Sequence, residues 1–140
     1  MSQSPDLPPK PAPNPENHLD EAFWAHCAEE KLCFHVCEAC GAWRHLPRSL
    51  CAHCGSPDWS WRESSGGGRL YTWTVTHQPS LPAFAADVPY VVAVIELEEG
   101  VRMVSRLRAA APEQLEIGLA VVLEWEQLAG GVALPMFRPR

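Results

Sequence analysis

Apolar residues first recur along this chain at Leu19, Phe23 and Cys27, positions i, i+4 and i+8. That spacing sets them on one face of a helix, predicted over residues 17–32. Asn17 is suited to cap the first turn, and Asp20 is favourable near the positive end of the dipole. Trp24 lies off the stripe. A helix this short is marginal alone, so it must pack on its own domain or on another subunit.

The second half of the chain changes period. Residues 69–77 alternate, with Tyr71, Trp73 and Val75 expected on one face and Leu70, Thr72, Thr74 and Thr76 on the other. Gln78 to Pro89 reads as a proline-containing loop. Residues 90–97 form a β-branched run, and Glu98-Glu99-Gly100 suits a hairpin turn. Further strands are predicted over 101–107, 119–127 and 132–137, with a connector over 109–118 and a turn at Gly130-Gly131. Five short strands with a longer connector after the third predict a small Greek-key barrel of the OB type, with a small sandwich as the alternative.

Between helix and barrel the pattern is set by cysteine. Cys37-Glu-Ala-Cys40-Gly41 is followed after ten residues by Cys51-Ala-His-Cys54-Gly55. Two residues between paired cysteines let both sulfurs reach one ion, and the glycine after each pair lets the backbone turn tightly. Four thiolates from two knuckles close a tetrahedral site with no open position for a water, so the expected metal is structural zinc, with iron the chemical alternative. A module this small cannot bury enough apolar area alone, and the ion supplies the deficit. Cys27 and Cys33 fall outside the pairing and are expected as packed thiols. His35, His45 and His53 are expected at the surface or behind the ligands.

The resulting fold class is mainly β: an N-terminal helix, a rubredoxin-like zinc ribbon, then a five-stranded OB-fold barrel. The domain reading is a disordered proline-rich arm over 1–17, helix and connector over 18–36, ribbon over 37–62, a flexible Gly/Ser linker over 63–68, and the barrel over 69–140. The arm contains Pro5, Pro8, Pro9, Pro11, Pro13 and Pro15; a tail is the simple reading and a partner-docking motif the alternative.

Composition narrows the function. The formal net charge is −6, and from Arg69 onward six arginines and no lysine stand against eight carboxylates. Nucleic-acid affinity depends on neutralising phosphates, so that class is disfavoured. No apolar run approaches the roughly 20 residues that span a bilayer. The first residues lack the pattern of a signal peptide, which leads to the expectation of a cytoplasmic protein with reduced thiols. No nucleophile elbow, Walker loop or dinucleotide fingerprint is present. Glu96, Glu98 and Glu99 are read as solvated hairpin carboxylates. His77 and Asp87 could meet across a barrel mouth. Tyr71, Trp73, Phe84 and Tyr90 could stack bases, fill the core or dock an apolar partner.

The order of helix, ribbon and barrel resembles the zinc-ribbon/OB-fold proteins of the domain-of-unknown-function-thirty-five family. The resemblance runs from about Phe23 to Phe137. It rests on the two knuckles, Pro47-Arg48, the stretch Gly68-Arg69-Leu70-Tyr71-Thr72-Trp73-Thr74, Pro89-Tyr90-Val91-Val92-Ala93, Leu97 with Gly100, Ile117-Gly118, and Pro135 with Phe137. It implies an accessory subunit of a thiolase-like, lipid-transfer-protein-like enzyme that handles acyl-CoA thioesters, in a hetero-oligomer such as a heterotetramer. The reaction most strongly implied is retro-aldol cleavage of a steroid side-chain CoA ester, with coenzyme A thioester as a shared ligand. An acetoacetyl-CoA thiolase or C-acyltransferase complex is the neighbouring alternative, and a single-stranded nucleic-acid binder the distant one. Only the metal ligands Cys37, Cys40, Cys51 and Cys54 carry over by residue; no catalytic residue does. Phe23, Trp24, Tyr71, Trp73, His77, Phe84 and Tyr90 are the candidates for a substrate channel or partner interface.

Overall fold

The computed structural model describes residues 6–140. The first five residues of the expected arm lie outside the described residues. Helix α1 spans His18–Ala28. Asn17 caps it as expected: its Oδ1 accepts from the backbone N–H of Leu19 at 2.9 Å and of Asp20 at 3.1 Å. Leu19, Phe23 and Cys27 are buried on one face. The helix is shorter than its apolar pattern suggested. Glu30 adopts φ 58°, and the N–H groups of Glu30 and Lys31 donate back to Cys27 and His26 at 2.8 and 3.1 Å. This is a Schellman stop built on a glutamate, a residue that carries no sequence signal for it.

The ribbon is a three-stranded antiparallel sheet in the order β2-β1-β3. Its strands are β1 (Cys33–Cys37), β2 (Trp43–Arg44) and β3 (Trp59–Glu63). All of β1 is buried. Phe34 joins the main core. His35 points the other way and is fully enclosed: Trp59 stacks on it at 3.8 Å and Trp61 meets it edge-on at 4.3 Å. The expectation of a surface or metal-backing His35 is thereby corrected. Two tryptophans that are distant in sequence and adjacent across the β1–β3 register cover it.

The barrel comprises β4 (Gly67–Thr76), β5 (Tyr90–Leu97), β6 (Arg102–Leu107), β7 (Ala120–Leu128) and β8 (Val132–Pro139). They close in the order β4-β5-β6-β8-β7, with β4 pairing back to β7. A five-stranded barrel of this order is the OB fold. Its interior holds Leu70, Ala93, Ile95, Val121 and Phe137, all exposed by 1% or less. One continuous core runs from these residues through Phe23, Cys27, Leu32 and Phe34. Helix α1 packs on both β8 and β1, so it mortars the two modules together.

Two expectations are corrected in β4. The strand begins at Gly67, so the flexible linker predicted over 63–68 does not exist as such. Gly66 takes φ 80°, and a Cβ at Gly68 would lie 2.6 Å from the Glu96 carbonyl oxygen. These glycines are required by close approach rather than flexibility. The hairpin carboxylates, expected to be solvated, hold the joint. Glu99 accepts from Ser64 Oγ at 2.9 Å and from the Ser65 N–H at 2.6 Å, while Glu98 accepts from Ser65 Oγ at 2.9 Å. Second, the register shifts between Leu70 and Thr72. That bulge inserts Tyr71 as an extra residue, so Leu70, Trp73 and Val75 all face or pack against the core and Tyr71 turns outward.

The proline arm, expected to be disordered, carries no helix or strand from residue 6 to Glu16. It is nonetheless tied down, because Lys10 Nζ lies 2.6 Å from Asp87 and 3.2 Å from Glu126. Among the described residues no helix is long and apolar enough to cross a membrane.

Candidate metal centre and docking groove

The two knuckles are built alike. In each, the glycine N–H donates to the carbonyl of the first cysteine at 2.8 Å (Gly41 to Cys37, Gly55 to Cys51), and the first cysteine donates to the residue five positions on. Gly41 and Gly55 take φ 76° and 74°, which only glycine adopts without strain. The four Sγ atoms lie within 4.8 Å of one another. Cys37 and Cys54 are 3.7 Å apart, and Cys40 and Cys51 3.6 Å. A tetrahedron with metal–sulfur bonds of about 2.3 Å has edges of about 3.8 Å, so the donor set fits one zinc ion.

Backbone N–H groups lower the first thiol of each knuckle, while neighbouring thiols and burial raise Cys40, to about 11, and Cys54. The N–H groups of Cys54 and His53 hold the Cys51 thiol down at about 6. Those of Cys40 and Ala39 lower Cys37 likewise. Cys37, Cys40, Cys51 and Cys54 would hold the ion; when bound it supplies a fourfold cross-link. Cys27 and Cys33 are buried away from it, and burial pushes the Cys27 thiol up to about 12. They are packed thiols.

A groove of about 640 Å³ opens between α1, the ribbon loop 45–48, β6 and β8. Phe23 and Trp24 line it together, in edge contact at 5.2 Å. Its other apolar lining includes Leu46, Pro47, Val104 and Met136. Leu46 is 55% exposed and Val104 67%, high values for neighbouring apolar side chains. His45 sits at the groove between Phe23 and Phe34. Burial, with Arg48 nearby, pushes its pKa down to about 4. Sequence reasoning missed Leu46 and Val104, which come together only through the fold.

The remaining candidates scatter. Tyr71 lies outside the barrel beneath the Arg102 guanidinium at 3.8 Å, and Trp73 packs inward. They do not form the shared stacking platform considered for nucleic acid. His77 is exposed beyond the end of β4. Asp87 does not reach toward it, being held by Lys10 and by Arg106 at 2.9 Å, and these two cations keep its carboxyl below the usual range against the opposing effect of burial. Phe84 and Tyr90, 6.4 Å apart, line a separate cleft beside the arm.

Comparison with known proteins places these features. Residues 24–60 match the ChsH2 rubredoxin-like zinc ribbon domain, and residues 61–126 match the ChsH2 C-terminal OB-fold domain. A probable enoyl-CoA hydratase alpha subunit of Thermomonospora curvata is 44% identical over 128 residues, covering 91% of this chain and 40% of that protein. The 3-oxo-4,17-pregnadiene-20-carboxyl-CoA hydratase alpha subunit of Mycobacterium tuberculosis is 36% identical over 117 residues, covering 83% and 37%. The chain thus spans about two-fifths of the length of these curated relatives. A solved Ltp2-ChsH2(DUF35) aldolase is 41% identical with a TM-score of 0.82, covering 90% of this chain and 98% of that one.

Proposed function

Because the chain belongs to the ChsH2 (DUF35) family of zinc ribbons joined to OB folds, we propose that it is an accessory subunit of a thiolase-like enzyme acting on acyl-CoA thioesters. The reaction is retro-aldol cleavage of a steroid side-chain CoA ester. The observation that carries this reading is the likeness to the aldolase chain, matched over 98% of its length.

The chemistry is coherent with the hydratase relatives. Adding water to an enoyl thioester gives a β-hydroxyacyl thioester. Retro-aldol cleavage consumes that product: a base takes the hydroxyl proton, the Cα–Cβ bond breaks, a carbonyl forms at Cβ, and the thioester enolate takes up a proton at Cα. The partner supplies that base and acid. In this chain the cysteine knuckles form a closed site, and Asp87 is committed to Lys10 and Arg106. What the chain contributes is surface. Helix α1, held by Asn17 and by the shared core, presents Trp24 beside Leu46 and Val104, and an aromatic anchor among exposed apolar residues is the composition of an interface centre. The ribbon holds the 45–48 loop that forms the opposite wall. The CoA thioester passes along the wall so formed.

Co-expression with a thiolase-like protein tests the reading. The expected result is co-purification, with Val104→Glu and Trp24→Ala lowering the yield of complex while the isolated chain still folds. Two proteins that elute separately would overturn it.

A further inference from the structure

A second cleft, of about 230 Å³, lies on the barrel and is lined by Phe84, Tyr90, Leu128, Leu134 and Met136. The arm closes it. Lys10 and Pro11 form one wall, with the Lys10 ammonium 5.9 Å above the Phe84 ring. That ammonium ends between Asp87 at 2.6 Å and Glu126 at 3.2 Å. Arg106 reaches Asp87 at 2.9 Å and lies over Tyr90 at 4.8 Å. Lys10 and Arg106 balance Asp87 and Glu126; without Lys10 the site keeps two carboxylates against one guanidinium. An apolar cleft with two aromatic rings and one uncompensated carboxylate suits a cation on an apolar stem. Proline on both sides of that cation holds the chain extended, which lowers the entropy lost on docking.

We propose that this cleft is a recognition site for a proline-flanked lysine, occupied in cis by Pro9-Lys10-Pro11. Its occupancy straps the arm along the barrel. The strap then leads into Asn14, Glu16 and Asn17, which wall the larger groove, and Pro13 and Pro15 border a further hollow beside Trp24. Seating Lys10 therefore fixes one side of the groove and the approach to the cap of α1. The inference does not depend on the identity of any partner.

The chain's two lysines supply the test. Lys31 pairs with Glu29 on the surface and is 51% exposed, against 25% for Lys10, so it serves as the internal standard. Amine acylation of the full chain at low reagent should modify Lys10 about fivefold more slowly than Lys31, the range of a well-formed ion pair near the surface. Asp87→Asn should bring the two rates together, and Glu126→Gln, which removes the longer contact, should close part of the gap. Should Asp87→Asn fail to fold, Glu126→Gln alone decides the point. Equal rates in the wild-type chain would overturn the proposal. So would protection of Lys10 that neither substitution reduces.

Discussion

The ribbon contains three strands, one of them only the dipeptide Trp43–Arg44, whereas the barrel closes five strands on themselves. The ribbon's order is held by four sulfurs at its tip and by His35 pressed between Trp59 and Trp61. The barrel's order is held by a dry interior around Ile95 and Phe137, both at 0% exposure. A closed barrel leaves no unpaired edge and gathers its apolar area inward. A two-residue strand does neither. The lesson is a division of labour: the metal compensates for a sheet too small to have its own core, and α1 links that sheet to a core that is large enough.

Metal removal should separate the ribbon from the barrel most visibly. Structural zinc in small modules contributes on the order of 10 kcal/mol or more to folding. Chelation, or Cys51→Ser, is expected to abolish the near-UV signal of Trp59 and Trp61 and the amide protection of β1. Amides of β5 should stay protected. Hydrogen exchange read by mass spectrometry checks this, and simultaneous loss of β5 protection would mean that the barrel is no more self-sufficient than the ribbon. The converse probe is Phe137→Ala. It opens a cavity in the barrel and should cost about 3–5 kcal/mol in urea unfolding, with four metal-ligating thiols still present.

Acid should act through the seam between the modules. His45 is held near pKa 4, below the ordinary value of about 6.5. Between those values the unfolded chain binds the proton and the folded chain does not. Stability from this group is therefore full above about pH 6.5 and is lost as pH falls toward 4, at up to about 1.4 kcal/mol per pH unit. Asp20 opposes the shift and Arg48 assists it. Replacement by Phe (His45→Phe) should make that part of the pH profile shallower in denaturant titrations, the remaining slope coming from the buried His35, also held near 4. The smallest expected effect is a gain. Glu30→Gly relieves the left-handed conformation at the helix stop and should stabilise the chain by up to about 1 kcal/mol, less the loss of the 3.0 Å contact from Gln127. A fall in stability would assign that contact more weight than the backbone.

What could be read from sequence was local. The knuckles, the Asn17 cap and the strand at Tyr90–Leu97 depend on spacing within a few residues, and they stand where the pattern put them. What escaped was set by distant neighbours. Strict alternation places Tyr71 on the face of Trp73, but a bulge against β5 turns it outward. Gly66 to Gly68 reads as a flexible joint because glycine has two meanings, freedom and clearance; Leu123 and Glu96 show that clearance applies. The arm reads as a free tail in sequence because Lys10 finds its acids at the distant positions 87 and 126. The groove beside α1 is half legible: the helix brings Phe23 and Trp24 to it, while Leu46 and Val104 reach it only through the fold.

In the proposed function this chain shapes a site whose chemistry its partner performs. Steady-state cleavage of a steroid β-hydroxyacyl-CoA tests it directly, assayed with the chain alone, with the thiolase-like protein alone, and with both. The account predicts carbon–carbon cleavage with both proteins, none with this chain alone, and a large loss when Val104→Glu replaces the wild-type chain in the mixture. Cleavage by the isolated chain, or cleavage by the partner that is indifferent to its presence, would contradict the account.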